Sequence, residues 1–308
     1  MEITDSHHPN IQVNKMDGIK IFIVQNVESV TTTPPLYDRL YIRQTVEGDD
    51  TFIFVIDMGR IPAFGHWVYE SVIYIPVYKR LKETNPTMKL MIGSYKPYKE
   101  LYIHYFGLDM QDVVYSIPLG STCMIPSPTY SLTRKDISRE HQSLIENIIP
   151  SIYVNIKDGF TFFPREDTNN YEGNNHMKIS FRSIVDFMDR TGIPYSVYNT
   201  SATSSLLEQI EKVQHSKVIL IPDGSAFLVN GVFARDSIIY VVGRLCSKQH
   251  AILYPQIGYI VSLIESKNTV YYFQTDADCI EYLRSGIYKE PIYTESRGTL
   301  EFWNPTNC

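Results

Sequence analysis

The sequence predicts an α/β protein made of two domains, and three observations support this prediction. Short apolar runs bounded by turn residues alternate with segments of helical periodicity, an alternation typical of sheets that are mainly parallel. The alternation begins again beyond the middle of the chain. The length of 308 residues is sufficient for two ordinary hydrophobic cores. We therefore expect one domain over residues 1–150 and a second over residues 151–308.

The first half is expected to begin with an irregular terminus and to continue with alternating strands and helices. Residues 1–17 are mostly polar and predict no regular structure. Residues 51–57 (TFIFVID) form a short apolar run that ends in a carboxylate, which predicts a buried strand leading into a loop and a helix. The strands are predicted at residues 19–27, 51–57, 89–95, 112–117 and 121–127, and the helices at residues 62–81, 97–106 and 136–149.

The second half repeats the same rhythm. The helix predicted over residues 179–189 should end near Gly192, because glycine readily adopts the left-handed backbone that closes helices. Residues 257–263 fit either a strand or a short helix. The strands are predicted at residues 159–165, 194–199, 217–223, 237–243 and 269–275, and the remaining helices at residues 179–189, 204–213 and 277–283.

Composition narrows the classes of partner. The formal net charge is -6 and Lys and Arg are scattered, so the sequence lacks the basic face that binds nucleic acid. No apolar run approaches the length of a transmembrane helix, and the polar amino terminus does not resemble a signal peptide. We expect a soluble, cytoplasmic protein without a transmembrane span. The 23 tyrosines suit a sugar-binding surface and suit core packing equally well.

His66 and Glu70 are the first candidate site residues. They are four residues apart at the start of the helix predicted over residues 62–81, so they would share one face. A carboxylate or imidazole beside the end of a buried strand is well placed to act as a general base. The alternative is that His66 packs against the helix start and Glu70 is an ordinary solvated residue.

Two strand ends in the second half predict an anion-binding site. Arg165 ends an apolar strand, where its guanidinium could bind phosphate or pair with a neighbouring carboxylate. Residues 223–226 (DGSA) follow a second apolar strand, and a small-residue turn before a helix exposes backbone amides to an anion. The same turn is also common without a ligand. Asn230, just beyond it, could anchor either the loop or a ligand.

Asp276 and Asp278 have the D-x-D spacing by which many sugar transferases hold a divalent metal. Because they precede a predicted helix, an N-cap role for one of them is the simpler explanation. We therefore assign no metal to them.

The order of these features resembles glycosyltransferase family 61 across residues 57–275. Each match is short, but the matches occur in the family's order and at plausible spacing. The matching segments are GHWVYE at residues 65–70, IPS at 125–127, FPR at 163–165, SLLEQI at 205–210, VILIP at 218–222, and DGSA at 223–226 followed by Asn230 and Phe233.

The resemblance implies a GT-B fold, which consists of two Rossmann-like domains with an interdomain cleft. It implies a hexosyl- or pentosyltransferase that moves a sugar, with inversion, from a nucleotide diphosphate sugar to a hydroxyl of a glycan or glycoprotein. Glu70 or His66 would take the proton on the acceptor side. The donor would be bound by the second domain and no further cofactor or metal would be required. The donor-binding residues would be Arg165, Asp223, Gly224, Ser225, Ala226 and Asn230.

Two other functions remain open from the sequence. Asp223 stands where the family usually has His, which leaves room for a catalytically inactive protein that binds a nucleotide sugar or glycan. The D-x-D pair leaves room for a metal-dependent sugar transferase that uses Asp276 and Asp278.

Overall fold

The computed structural model describes most of the chain and divides it into two compact units. Unit 1 comprises Met1–Ile149 with Tyr254–Gln256, and unit 2 comprises Pro150–Leu253 with Ile257–Cys308. The described residues are 2–3, 11–16, 19–32, 40–57, 64–126, 139–150, 157–164, 181–199, 205–243, 247–248, 251, 255–289 and 291.

Unit 1 is built on an eight-stranded mixed sheet. Its strands are β1 (Glu2–Ile3), β2 (Ile11–Met16), β3 (Ile19–Thr32), β4 (Leu40–Gln44), β5 (Phe52–Asp57), β6 (Lys89–Ile92), β7 (Val113–Val114) and β8 (Ser121–Pro126). The order is β1-β4-β3-β8-β5-β6-β7, and β2 also pairs with β3. Strands β8, β5, β6 and β7 are parallel neighbours, whereas β1 to β4 join the sheet through antiparallel pairs. The expected parallel sheet is therefore only one part of this sheet.

The prediction of an irregular terminus over residues 1–17 is wrong. Strand β2 pairs with β3 in an antiparallel register that runs from Ile11 opposite Val24 to Met16 opposite Ile19. Only two residues, Asp-Gly at positions 17–18, separate the paired strands. Asp-Gly is a strong indicator of a tight hairpin. The Asp-Gly dipeptide therefore indicated a hairpin that the polar composition of residues 1–17 did not suggest.

The helices of unit 1 are α1 (Phe64–Glu70), α2 (Ile75–Thr84), α3 (Pro97–Tyr105) and α4 (Arg139–Asn147). The single helix predicted over residues 62–81 is interrupted between α1 and α2, where Val72–Tyr74 form a turn of 3-10 helix. The reason is Pro76 in the first turn of α2. Proline has no amide hydrogen to donate to the carbonyl four residues earlier, and its ring clashes with that carbonyl. Glu70 is consequently the last residue of a short helix.

Both the central strands and the helices of unit 1 contribute buried apolar residues. Within α1 and the 3-10 turn, Trp67, Val72 and Ile73 are fully buried. Apolar burial of this kind supplies the main free energy that holds α1 on the sheet. One apolar cluster is formed by Val24, Val27, Ile42, Ile53, Val55, Met91, Cys123 and Ile125.

Unit 2 is built on a five-stranded sheet in which every pair is parallel. Its strands are β9 (Asp158–Phe162), β10 (Ser196–Val197), β11 (Ser216–Pro222), β12 (Ile238–Val242) and β13 (Thr269–Phe273). Its helices are α5 (Arg182–Thr191), α6 (Leu206–His215), α7 (Ser225–Gly231), α8 (Pro255–Lys267) and α9 (Asp276–Ser285). The α/β character and the parallel sheet expected for this half are confirmed.

The elements of unit 2 follow the sequence closely. Gly192 ends α5 with φ 70°, the left-handed conformation that favours glycine. The segment around residues 257–263 belongs to α8 and is therefore helical. The helix expected after the DGSA turn is present as α7, which has seven residues.

The described helices are short. The longest, α8, has 13 residues. Within the described parts of the chain, no helix combines the length and the apolar character needed to cross a membrane.

Candidate functional site

The strand order of unit 2 identifies where a ligand site is expected. The order is β10-β9-β11-β12-β13, which becomes 2-1-3-4-5 when the strands are numbered within this unit. This is one of the two common orders of doubly wound α/β sheets, in which ligands bind outside the carboxyl ends of strands where the order reverses. In unit 2 that point lies between β9 and β11.

The two loops that leave this point are those predicted to bind an anion. Phe163 follows β9, and its amide donates to the carbonyl oxygen of Leu220 in β11 over 2.9 Å. The chain is described to Pro164, so Arg165 lies outside the described residues. The Asp223 turn follows directly on β11. The backbone therefore brings residues 163–164, which precede Arg165, and the DGSA turn to adjacent strand ends.

Asp223 is fixed by a neighbouring segment. Its amide donates to the carbonyl of Val242, over 2.9 Å, and continues the ladder between β11 and β12. One carboxylate oxygen, Oδ1, accepts hydrogen bonds from the hydroxyl of Ser247 and, over 3.3 Å, from its amide. Both side chains are buried. Asp223 thus holds the segment that follows β12 against the end of β11.

Gly224 gives the turn a conformation that other residues rarely adopt. Its φ is 90° and its ψ is -142°, in the region that is almost restricted to glycine. The Gly224 carbonyl accepts from the amide of Leu228, over 3.0 Å, so the turn leads directly into α7. Ser225 and Ala226 are the first residues of α7 and are half-buried. Amides in the first turn of a helix have no partner within the helix and can face an anion.

Asn230 contacts protein groups behind the turn. Its amide nitrogen donates to the carbonyl of Ala226 over 2.8 Å, and its side-chain oxygen accepts from Gln209 of α6. The side chain is buried. These contacts are those of the loop-anchoring alternative, in which Asn230 joins α6 to α7 and thereby holds the DGSA turn.

The general-base candidates belong to unit 1. Both residues lie in α1, so the predicted helical spacing between them is present in the backbone. The side chain of His66 lies outside the described residues. Glu70 is half-buried at the end of α1. Tyr69, immediately before it, is fully buried, and this burial raises the pKa of its phenol well above the ordinary value.

The parallel part of the unit 1 sheet also contains a point where strand order reverses. Numbered along the chain, β7-β6-β5-β8 has the order 3-2-1-4, as in the first four strands of a dinucleotide-binding sheet, and the reversal lies between β5 and β8. Asp57 is the last residue of β5 and is buried. The carboxylate noted in the sequence therefore lies at the position that topology marks.

Asp57 pairs with a buried lysine that sequence reasoning missed. Lys99 Nζ lies 2.6 Å from Asp57 Oδ2 and also donates to the carbonyl of Ile92 over 2.6 Å. The side chains of Lys99 and Asp57 are 1% and 0% exposed. The ammonium lies 5.5 Å from the centre of the Trp67 ring, within the range of a cation–π contact. We call these four residues the Lys99 clamp.

The Lys99 clamp joins several elements at one edge of the sheet. It connects α3, which carries Lys99, to the ends of β5 and β6 and to α1. Burial lowers the pKa of Lys99, while the charge of Asp57 and its hydrogen bond oppose that change. Burial also raises the pKa of the neighbouring Tyr102 phenol. One sequence feature could have revealed the clamp: Lys99 shares the apolar stripe of α3 with Tyr102 and Ile103.

Asp278 caps a helix. The N-cap of α9 is Thr275, one residue before the pair that was expected to contain it. The Thr275 hydroxyl accepts from the amide of Asp278 over 3.2 Å, and Asp278 Oδ2 accepts from the amide of Thr275 over 3.0 Å. This reciprocal arrangement is a capping box. Among the residues that the structure describes, no group of three or more His, Cys, Asp and Glu side chains could hold a metal ion.

No protein-family model matches the chain, and no curated protein is significantly similar to it.

Proposed function

We propose that this chain is a glycosyltransferase that transfers a sugar, with inversion, from a nucleotide diphosphate sugar to a hydroxyl of a glycan or glycoprotein. One observation carries the proposal: in the 2-1-3-4-5 order of unit 2, the DGSA turn lies beside the carboxyl end of β9, the strand that precedes Arg165 in the sequence. Switch points of this kind bind nucleotides in doubly wound sheets. The ordered resemblance to glycosyltransferase family 61 supplies the reaction class.

In the proposed donor site, the diphosphate lies against the DGSA turn. Arg165 contributes two parallel hydrogen bonds to phosphate oxygens, and the amides of Ser225 and Ala226 contribute donors at the start of α7. Gly224 allows the backbone to approach the ligand closely, because it has no Cβ. Asp223 and Asn230 act behind the ligand by holding the turn through Ser247 and Gln209. This donor set stabilises the leaving diphosphate without a metal ion.

The proposed acceptor side is unit 1. The acceptor hydroxyl oxygen forms a bond to the anomeric carbon as the bond from that carbon to the diphosphate oxygen breaks. The diphosphate leaves with the electron pair, and Glu70 or His66 takes the hydroxyl proton. Attack from the side opposite the leaving group inverts the anomeric configuration. The GT-B fold that the family resemblance implies is part of this proposal.

The experiment compares four single variants of the full chain with a panel of nucleotide sugars. Glu70→Gln removes a proton acceptor and Arg165→Ala removes a phosphate ligand. Glu83→Gln and Arg190→Ala make the same chemical changes at exposed positions of α2 and α5 and are the matched controls. The readout is release of nucleoside diphosphate, measured with and without an acceptor glycan.

We expect Glu70→Gln to lower turnover by about 10²–10⁴-fold, the usual contribution of general base catalysis. We expect Arg165→Ala to lose most of the thermal stabilisation that a nucleoside diphosphate confers, which amounts to about 2.7 kcal/mol at a ligand concentration of 100 Kd. Near-normal turnover in both variants would refute the assignment. Binding of nucleotide sugars without release of diphosphate would instead indicate the inactive binding protein.

A further inference from the structure

Two exposed tyrosines stand at strand ends in unit 1. Tyr95 follows β6 and is 53% exposed, and Tyr115 directly follows β7 and is 42% exposed. Most large apolar or aromatic side chains of this unit are buried in its core, so two neighbouring exposed rings require an explanation. Strands β6 and β7 are parallel neighbours, so both tyrosines leave the carboxyl edge of the sheet. That is the edge at which α/β folds place their ligands.

The two tyrosines are in contact. Their ring centres are 6.0 Å apart and their planes meet at 75°, an edge-to-face arrangement. About half of each residue faces solvent. The pair therefore presents two aromatic surfaces that meet at a steep angle. We call this arrangement the Tyr95–Tyr115 corner.

A carboxylate completes this corner. Glu100 lies in the first turn of α3. Desolvation first, and then hydrogen bonding to the nearby Glu100 carboxylate and its negative charge, raise the pKa of Tyr95. Desolvation and the same charge raise the pKa of Tyr115. Both phenols are therefore neutral near pH 7. The corner combines apolar ring surface, neutral hydroxyl groups and one anionic acceptor.

We propose that Tyr95, Tyr115 and Glu100 form a binding site for a pyranose ring. A pyranose has apolar faces made of C–H groups and a rim of hydroxyl groups. The aromatic surfaces match those faces, and a carboxylate is a strong acceptor for the hydroxyl groups. The proposed occupant is an uncharged sugar, because the ring surfaces and neutral hydroxyl groups match its C–H faces and its rim of hydroxyl groups.

The Lys99 clamp gives this corner a rigid base. Lys99 precedes Glu100 in α3, and its ammonium is bound to the end of β6 through Ile92, three residues before Tyr95. Trp67 of α1 packs edge-to-face on Tyr102 of α3, with ring centres 5.5 Å apart. The helix that carries Glu100 is therefore in direct contact with the helix that carries Glu70. For its role as an acceptor subsite, this assignment rests on the proposed transfer reaction; sugar binding itself does not.

The test is saturation-transfer difference NMR on the full chain with the methyl glycosides of glucose, galactose and N-acetylglucosamine, and with glycerol as a polyol that has no ring face. The variants are Tyr95→Ser and Tyr115→Ser. Tyr195→Ser is the control outside the site, because Tyr195 is a half-buried tyrosine of unit 2 whose hydroxyl donates to a carboxylate, Asp189 Oδ1, over 3.0 Å. Tyr95→Phe keeps the ring, and Glu100→Gln keeps the shape but removes the charge.

We expect at least one glycoside, but not glycerol, to receive saturation on its ring protons. The Ser variants at positions 95 and 115 should each weaken binding about tenfold, which corresponds to about 1.4 kcal/mol. Tyr95→Phe and Tyr195→Ser should stay within about threefold of the parent, and Glu100→Gln should weaken binding several-fold. Absence of saturation in the parent chain for all three glycosides would overturn the proposal, as would equal binding by the Ser variants at positions 95, 115 and 195.

A parallel thermal-shift measurement with uridine diphosphate and guanosine diphosphate separates this inference from the donor site. Sugar binding without any response to nucleotide would support the Tyr95–Tyr115 corner and count against the proposed donor site. A nucleotide response without sugar binding would overturn the corner alone.

Discussion

Replacing Lys99 by Met tests whether the Lys99 clamp is an interdependent unit. Met keeps much of the apolar stem and removes the ammonium, so the substitution deletes the ion pair with Asp57, the hydrogen bond to the Ile92 carbonyl and the contact with Trp67. Both charged side chains are almost completely shielded from water. Removing one partner of such a pair leaves a buried charge without its counterion, which typically costs about 3–5 kcal/mol.

The same cost is expected when the carboxylate is neutralised. Asp57→Asn preserves shape and leaves the Lys99 ammonium buried beside a neutral amide, so we expect about 3–5 kcal/mol here as well. The double variant removes both charges and should lose less than the two single losses combined. A coupling free energy of about 1–3 kcal/mol is the expected size for two groups in direct contact.

The pH dependence gives a second, independent readout. In the parent chain Asp57 raises the pKa of Lys99 and so opposes the lowering by burial. Asp57→Asn removes this opposition, so the folded-state pKa of Lys99 falls further below the unfolded value of about 10.4. Between those two values the unfolded chain binds more protons, and the free energy of unfolding therefore rises with pH. The difference in free energy of unfolding between the parent and Asp57→Asn should therefore shrink between pH 7 and pH 9.5. The difference between the parent and Lys99→Met should not shrink.

Urea unfolding followed by Trp67 fluorescence provides the assay. Trp67 is fully buried in unit 1 and lies against Lys99. The sequence has two tryptophans, so a Trp303→Phe background makes Trp67 the only indole reporter. At about 2–4 °C per kcal/mol, the single variants should also melt roughly 6–20 °C lower. Single variants within about 1 kcal/mol of the parent, or losses that simply add, would refute the reasoning.

Three further substitutions test local features of unit 2 by the same unfolding measurement, followed by far-ultraviolet circular dichroism. Gly224→Ala places a side chain on a backbone with φ 90° and should cost about 1–3 kcal/mol while weakening nucleoside diphosphate binding; an unchanged midpoint would contradict the assigned turn conformation. Asp278→Ala removes half of the capping box and should cost about 1 kcal/mol, more than Asp276→Ala in the same helix turn, and the reverse order would contradict the box. Ser247→Ala removes a hydroxyl donor to the buried Asp223 carboxylate and should cost about 1.5–3 kcal/mol, whereas a loss below about 0.5 kcal/mol would show that the contact is not needed.

Regular elements of unit 2 could be predicted because each carries its own local pattern. The short apolar run before Asp223, bounded by turn residues, has the local pattern of a strand, and Gly192 ends α5 because few other residues adopt φ 70°. Elements that depend on one or two residues were harder to predict. Only Asp-Gly at positions 17–18 indicated that β2 pairs with β3, and Pro76 divided an otherwise continuous amphipathic pattern.

The predicted site residues differ in how far their surroundings could be foreseen. Strand ends are local features, so the positions of Asp57 and Asp223 at carboxyl edges followed from apolar runs alone. Their partners, Lys99 and Ser247, are separated from them by 42 and 24 residues. No periodicity within a segment encodes such a pairing, because it depends on which strands become neighbours. The adjacency of β9 and β11 is likewise a property of the sheet order and not of either strand.

The energetics of the Lys99 clamp favour a positioning role over a stabilising one. A buried ion pair rarely adds stability compared with apolar residues of the same volume, because desolvation offsets most of the attraction. An ammonium that must satisfy Asp57 and the Ile92 carbonyl together, however, tolerates little displacement of α3. Trp67 transmits that constraint to α1 through its contact with the same ammonium. The Lys99–Asp57 pair therefore helps to position both Glu70 and the Tyr95–Tyr115 corner. This predicts that Lys99→Met disturbs sugar binding at Tyr95 and Tyr115 under conditions where unit 1 remains folded.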